Sequence, residues 1–352
     1  MEEVKAKPSI LEVAWNRFAQ YNLASNAKKK HQLALRRWIA TLSVLATLVA
    51  IISALFPETA QPWQSMTIKV VLILLPILSS VLAAFANKFS RGTDWLVLRA
   101  GAEQVLKEIY QYRTILQKTD KRRRAWLEKR LREIQNQVFT GLNGEMILEA
   151  YKGPLPPPYS NGTPRPDGGF EDLDADAYYK FRVSDQLNWH TSRVNSLHRD
   201  RMRLQVLILM TGALGAFLAA MGGQFGLWVA LATALTTAMT GWQELRNLEM
   251  TVRNYSKVIL DLTAVSDHWN QLEDNERTRK EFYRMVKDTE TTLWNQNLEY
   301  VKSMQEALEN AKMDEEDFIQ QTLQSGGASN DDDQPQAVVM PGAAPAATEG
   351  AG

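Results

Sequence analysis

Trp38-Ile-Ala-Thr-Leu-Ser-Val-Leu-Ala-Thr-Leu-Val-Ala-Ile-Ile-Ser-Ala-Leu-Phe56 carries no charged side chain from end to end. At about 1.5 Å of rise per residue, a helix of this length crosses roughly the 30 Å hydrocarbon layer of a bilayer. Three further runs share the pattern. Val70 to Ala86 has Pro76 inside and Lys69 at its mouth, and Leu204 to Met221 contains Gly212 and Gly215. Phe225 to Thr240 is the least apolar, being rich in Ala and Thr. A buried helix of a soluble protein can be as apolar as any one of these. Four runs in closely spaced pairs read instead as two membrane hairpins.

Average composition conceals this pattern, since 45% hydrophobic and 23% charged residues would suit a soluble protein. The formal net charge of +0 gives no reason to expect a nucleic-acid partner. Absence of cysteine excludes disulfides, thiol catalysis and Cys-ligated zinc, and suits a reducing compartment. The first apolar run begins at Trp38, too late and too long for a cleaved leader, so the first span itself acts as the targeting signal.

Orientation follows from Lys and Arg beside the spans. Lys28, Lys29, Lys30, Arg36 and Arg37 precede the first, and Lys88, Arg91 and Arg99 follow the second. Arg193, Arg199, Arg201 and Arg203 precede the third, and Arg246, Arg253 and Lys257 follow the fourth. The connections Pro57 to Thr67 and Gly222 to Gln224 hold no Lys or Arg, and Lys69 can snorkel from its helix end. The reading is a multi-pass protein of a bacterial inner membrane, touching lipid, with both termini cytosolic.

Each half repeats one plan: basic helix, span, short connection, span, long polar helix. Both copies point the same way, as parallel repeats related by an axis along the membrane normal. The boundaries are a first module at 1–152, a Pro/Gly linker, part extended and part flexible, at 153–170, a second module at 171–324 and a disordered acidic tail at 325–352. Outside the spans, Leu127, Leu131, Ile134, Val138 and Leu142 make one apolar helical stripe. Val286, Leu293 and Tyr300 recur every heptad, which suggests a partner-facing helix of coiled-coil type. The fold class is all-α: an integral membrane helical bundle of four transmembrane helices with long cytosolic helices.

The segment Tyr178-Tyr-Lys-Phe-Arg182-Val-Ser-Asp-Gln186-Leu-Asn-Trp189-His, running through a basic stretch into a span, resembles the approach helix of SLATT proteins. Arg99-Ala-Gly-Ala-Glu103, continuing through Tyr112, is similar to that family's exit helix, with Arg253 as the counterpart of Arg99 in the second copy. The second copy has Lys257 where the exit helix would have Glu103. These are two-transmembrane effector domains that accompany nucleotide-signal synthases and sensors in bacterial conflict systems. The resemblance implies tandem copies of a pore-forming effector and a cytosolic nucleotide-sensing partner. By spacing alone, Tyr178, Arg182, Gln186 and Trp189 share a helical face. Arg182 there either anchors at lipid headgroups or pairs with an acid such as Glu244 or Glu249.

No reactive constellation emerges. His31, His190, His198 and His268 lack the spacing of a helical zinc site, and neither a phosphate loop nor a nucleophile elbow occurs. The expectation is a protein without enzymatic activity, metal or cofactor. The fourth span holds the most suggestive polar feature, a stripe of Thr233, Thr236, Thr237 and Thr240 beside Ala230, Ala234 and Ala238. Small residues admit close helix packing, and the threonines either bond across helices or line a pore built from several copies. The resulting reading is an oligomeric pore or channel-type effector gated through its cytosolic helices. The alternative is a non-conducting membrane scaffold that recruits cytosolic partners.

Overall fold

In the computed structural model, the described residues are 8–55, 62–89, 93–115, 120–159 and 162–326. They fall into helices α1 (Ile10–Leu55), α2 (Pro62–Phe89), α3 (Asp94–Thr114), α4 (Asp120–Gly141), α5 (Ala175–Tyr178), α6 (Asp185–Met221), α7 (Gly226–Arg246), α8 (Leu248–Gln271) and α9 (Arg279–Gly326). No strand occurs among the described residues. Residues 1–313 make one compact unit; a second, 314–352, is helical as far as Gly326. Residues 57–61 of the first hairpin connection, and the acidic tail beyond Gly326, lie outside the described residues.

Four helices are long and apolar enough to cross a membrane. Their side chains are sorted as a lipid solvent would sort them. Ile73, Leu209 and Phe217 are 62%, 72% and 61% exposed, an arrangement that water would penalise at roughly 25 cal/mol per Å². Inside each hairpin the contacts are small and hydroxylic. Ser43 and Ser79 bring their Oγ atoms to 3.3 Å between α1 and α2. Thr211 and Thr236 meet at 2.9 Å between α6 and α7, and a Cβ added at Gly215 would lie 3.3 Å from that of Ala232. Within this hairpin the close approach runs through Gly215 and Ala232, while Ala230 is exposed and Ala234 and Ala238 are half-buried.

Outside the membrane the two halves share one core. Trp15 and Phe18 of α1, Ile109 of α3, Leu127 and Ile134 of α4, Tyr178 of α5, Trp269 of α8 and Val286 of α9 belong to a single buried cluster. The stripe from Leu127 to Leu142 is wholly buried there. Because both approach helices and both exit helices meet in this body, both hairpins start and finish on the same side of the membrane, as parallel repeats must. Val286 is also fully buried, so the heptad face of α9 packs inside its own chain instead of facing a partner.

The linker is pinned, which corrects the expectation of partial flexibility. Trp15 Nε1 donates to the Gly169 carbonyl at 2.7 Å. Arg113, whose side chain is fully buried, grips Asp167 through both terminal nitrogens at 2.6 and 2.8 Å and donates from Nε to the Glu171 carbonyl. Composition gave no sign of these contacts, because their partners lie on α1 and α3. At the other membrane boundary Asn247, with φ 44°, separates α7 from α8. Asn tolerates this left-handed conformation, and its Nδ2 donates to the Ser303 carbonyl of α9 at 2.9 Å.

Candidate functional site

The second approach helix is built in two steps. Asp174 caps α5 by accepting from the Ala177 N–H at 2.8 Å. A π-helical turn, Tyr179–Ser184, then leads into α6. On this segment Arg182 is buried and meets Glu290 of α9 in a two-point pair, with Nε–Oε1 and Nη2–Oε2 both at 2.9 Å. Tyr178 donates its hydroxyl to the same carboxylate at 3.0 Å, and the Arg182 guanidinium lies 4.2 Å from the Tyr110 ring centre. The partner is therefore neither Glu244 nor Glu249. Helical spacing told which residues share a face, but not which distant helix meets it. Burial opposes the charge on Arg182, and the Glu290 carboxylate more than offsets this, holding the guanidinium pKa above its ordinary value.

Beside this pair lies a cavity of about 360 Å³. Its walls come from α1, α3, the linker, α6, α8 and α9. The sequence-derived residues Arg99, Glu103, Arg182, Gln186 and Trp189 all line it. Tyr112 is instead buried, with Arg123 stacked 4.7 Å from its ring centre. Arg253 is a surface residue, 3.6 Å from Glu249, so α8 reaches the cavity through Tyr255. His190 is buried in the cavity wall, with Nδ1 2.8 Å from the Gln186 carbonyl. Burial lowers its pKa, so the ring is neutral at pH 7.

The charges in this cavity are unbalanced. Arg99 pairs with Glu103 at 2.5 Å and donates to Asn22 at 3.0 Å. Lys29 finds only aromatic company, 2.8 Å from the Tyr300 hydroxyl and 4.7 Å from the Trp95 ring centre. Burial, then the neighbouring Arg99, Arg193 and Arg246, push its ammonium pKa down to about 8. As cavity residues, Lys29, Trp95, Arg165, Arg193, Tyr255, Asn297 and Tyr300 were not singled out by the sequence. Lys29 and Arg193 stood there only as basic flanks of spans, and Tyr300 only as a heptad position.

Two family matches bear on this arrangement. Residues 178–299 match SMODS and SLOG-associating 2TM effector domain 1. Its second hairpin, with the approach and exit helices, is thus similar to SLATT effector domains. Residues 19–119 match a second family, a protein of unknown function, DUF4231. The tandem organisation thus joins two hairpins that answer to different family descriptions. No match to the chain was found among curated proteins or among solved structures.

In the spans of the second hairpin, Thr233 donates to the Val229 carbonyl at 2.9 Å, and Thr236 sits 2.9 Å from both the Ala232 carbonyl and Thr211 Oγ1. Thr211 on the third span is thus the partner of Thr236. Gly226, Ala230, Thr233, Thr237 and Gly241 lie along the outward face of α7 and are exposed; Thr240 is partly covered. No group of His, Asp or Glu able to hold a metal occurs among the described residues.

Proposed function

We propose that this protein is an oligomeric pore or channel-type effector of a bacterial inner membrane, opened through its cytosolic helices in response to a nucleotide signal. One observation carries the reading: the polar ends of both hairpins converge on one cavity. Lys29 lies on the helix that becomes the first span, and Trp95 begins the helix after the second. Arg193 precedes the third span on α6, and Tyr255 follows the fourth on α8. Anything that changes the spacing of these walls tilts both hairpins together. Two spans per module enclose no wide path, so conduction requires several copies. The outward face of α7, small and hydroxyl-bearing where other spans expose Leu, Ile and Phe, supports contact between copies.

Liposome reconstitution with dye- and ion-release readouts tests this. Release at the mass of an oligomer, dependent on supplied nucleotide or on a mutation in the cavity walls, is the expected result. A protein that is oligomeric but never conducts returns the function to a membrane scaffold.

A further inference from the structure

We infer that the cavity between the two modules is itself a binding site for a phosphate-bearing organic anion of mononucleotide size, so that the chain needs no separate sensor to receive its signal. The inference deepens the effector reading and rests on it for its biological meaning, but the binding it asserts is measurable without conduction.

The first argument is charge. Lys29, Arg99, Arg165, Arg182 and Arg193 all line the cavity, and Glu103 is the sole carboxylate residue among its walls. Arg99 is neutralised by Glu103 and Arg182 by Glu290. Arg165 donates to the Pro157 carbonyl, stacks 4.7 Å from the Tyr159 ring centre, and lies near enough to Asp167 to favour its ionised form, so it is partly compensated. Lys29 and Arg193 meet no carboxylate within 4.0 Å among the described residues, which leaves two cations from two helices around one space, with Arg165 beside them. Holding like charges together costs free energy that an anion recovers on binding.

Orphaned donors make the second argument. Among the described residues, the buried Trp95 Nε1 and Asn297 Nδ2 find no acceptor in the protein. Both residues line the cavity and are only 3% and 4% exposed. An unmet buried donor costs about 1–3 kcal/mol, and both orphans here lack an oxygen acceptor. A phosphate ester supplies several.

Size and wall chemistry narrow the class. The volume lies near the lower end of the roughly 300–1,000 Å³ typical of small-molecule sites. Trp189, Tyr255, Tyr159 and Tyr300 add aromatic surface against which a flat base can pack. A phosphoinositide headgroup offers the same phosphate chemistry from the membrane side, so the source has to be separated by experiment.

Full-length protein in lipid nanodiscs is titrated by calorimetry with AMP, GMP, cyclic AMP and inorganic phosphate. A parallel arm uses nanodiscs doped with phosphatidylinositol phosphate. Saturable binding in either arm, weakened about tenfold or more by both Arg193→Gln and Lys29→Gln but unchanged by the surface control Arg132→Gln, supports the site; the arm that responds names the source. Absence of binding by every probe, or a smaller loss in either variant, overturns it. A second readout needs no variant. A lowered pKa leaves more of the Lys29 amine free near neutrality, and the bound anion must shield it from an amine-acylating reagent, as read by mass spectrometry. Acylation of Lys29 that is indifferent to a saturating probe likewise overturns the assignment. Binding without release in liposomes would sink the pore reading alone, whereas release without binding would sink this inference alone.

Discussion

Replacing Glu290 with Ala puts the central polar contact of the extramembrane body under direct test. The carboxylate accepts from Arg182 Nε, Arg182 Nη2 and the Tyr178 hydroxyl, and all three groups belong to residues almost wholly removed from solvent. The side chains of the ion pair are 4% and 1% exposed. Removing one partner leaves a buried guanidinium without a counter-charge, for which about 3–5 kcal/mol is the usual cost. At about 2–4 °C per kcal/mol for a sizeable domain, the melting point should fall by roughly 6–20 °C. Tryptophan fluorescence of detergent-solubilised protein on heating reads this, because Trp15 and Trp269 sit in the same core. The double variant Arg182→Met with Glu290→Leu removes both charges, and should recover most of the loss. A Glu290→Ala protein melting within about 2 °C of the parent, or a double variant no better than the single, would show that the pair is not what joins α9 to the second approach helix.

Four further outcomes follow from the same structure. Cysteines placed singly at Glu149 and Gln224 should label from opposite sides of intact cells; external labelling of Glu149→Cys alone would invert the topology. Gly215→Leu should force α6 from α7 at Ala232, costing about 1–3 kcal/mol and loosening the hairpin in a detergent melt, while Gly212→Leu, whose added Cβ meets nothing within 4 Å, should not. Anion binding at the cavity should weaken as pH rises past about 8, where Lys29 loses its proton; with its pKa of about 8 below the unfolded 10.5, the unfolded chain holds more protons in that window, so intrinsic stability rises with pH there. Arg99, Arg193, Arg246 and the Tyr300 hydroxyl face the ammonium and set this behaviour, and a flat affinity profile across pH 7 to 9 would contradict it. Thr237→Val should lower conductance without changing oligomeric mass, whereas Thr236→Val should also loosen the hairpin through its lost contact to Thr211.

How much was legible in the chain depended on how local the physics was. The spans could be read because the bilayer acts as a solvent on each helix separately: uncharged runs such as Trp38 to Phe56 need no tertiary partner to reveal themselves. The same holds for the parallel hairpins, since Lys and Arg act on their own span, and for the stripe of α4, which a single helix displays. The family resemblance also lay in local segments, and it led to Arg99, Glu103, Arg182, Gln186 and Trp189, all of which line the cavity. What escaped was every relation between distant segments. Arg182 meets Glu290 across 108 residues, and Lys29 meets Tyr300 across 271. The linker looked flexible because Pro and Gly report only on backbone freedom, while its actual fixation comes from Trp15 and Arg113. The face of α9 looked ready for a partner, because one helix shows that an apolar row will be buried but not by what. Sequence alone thus determined the membrane, the helices and their sidedness within the repeat. The cavity and its cluster of cations were decided only by tertiary packing, since charges from α1, the linker and α6 become neighbours only when the two modules fold into one body.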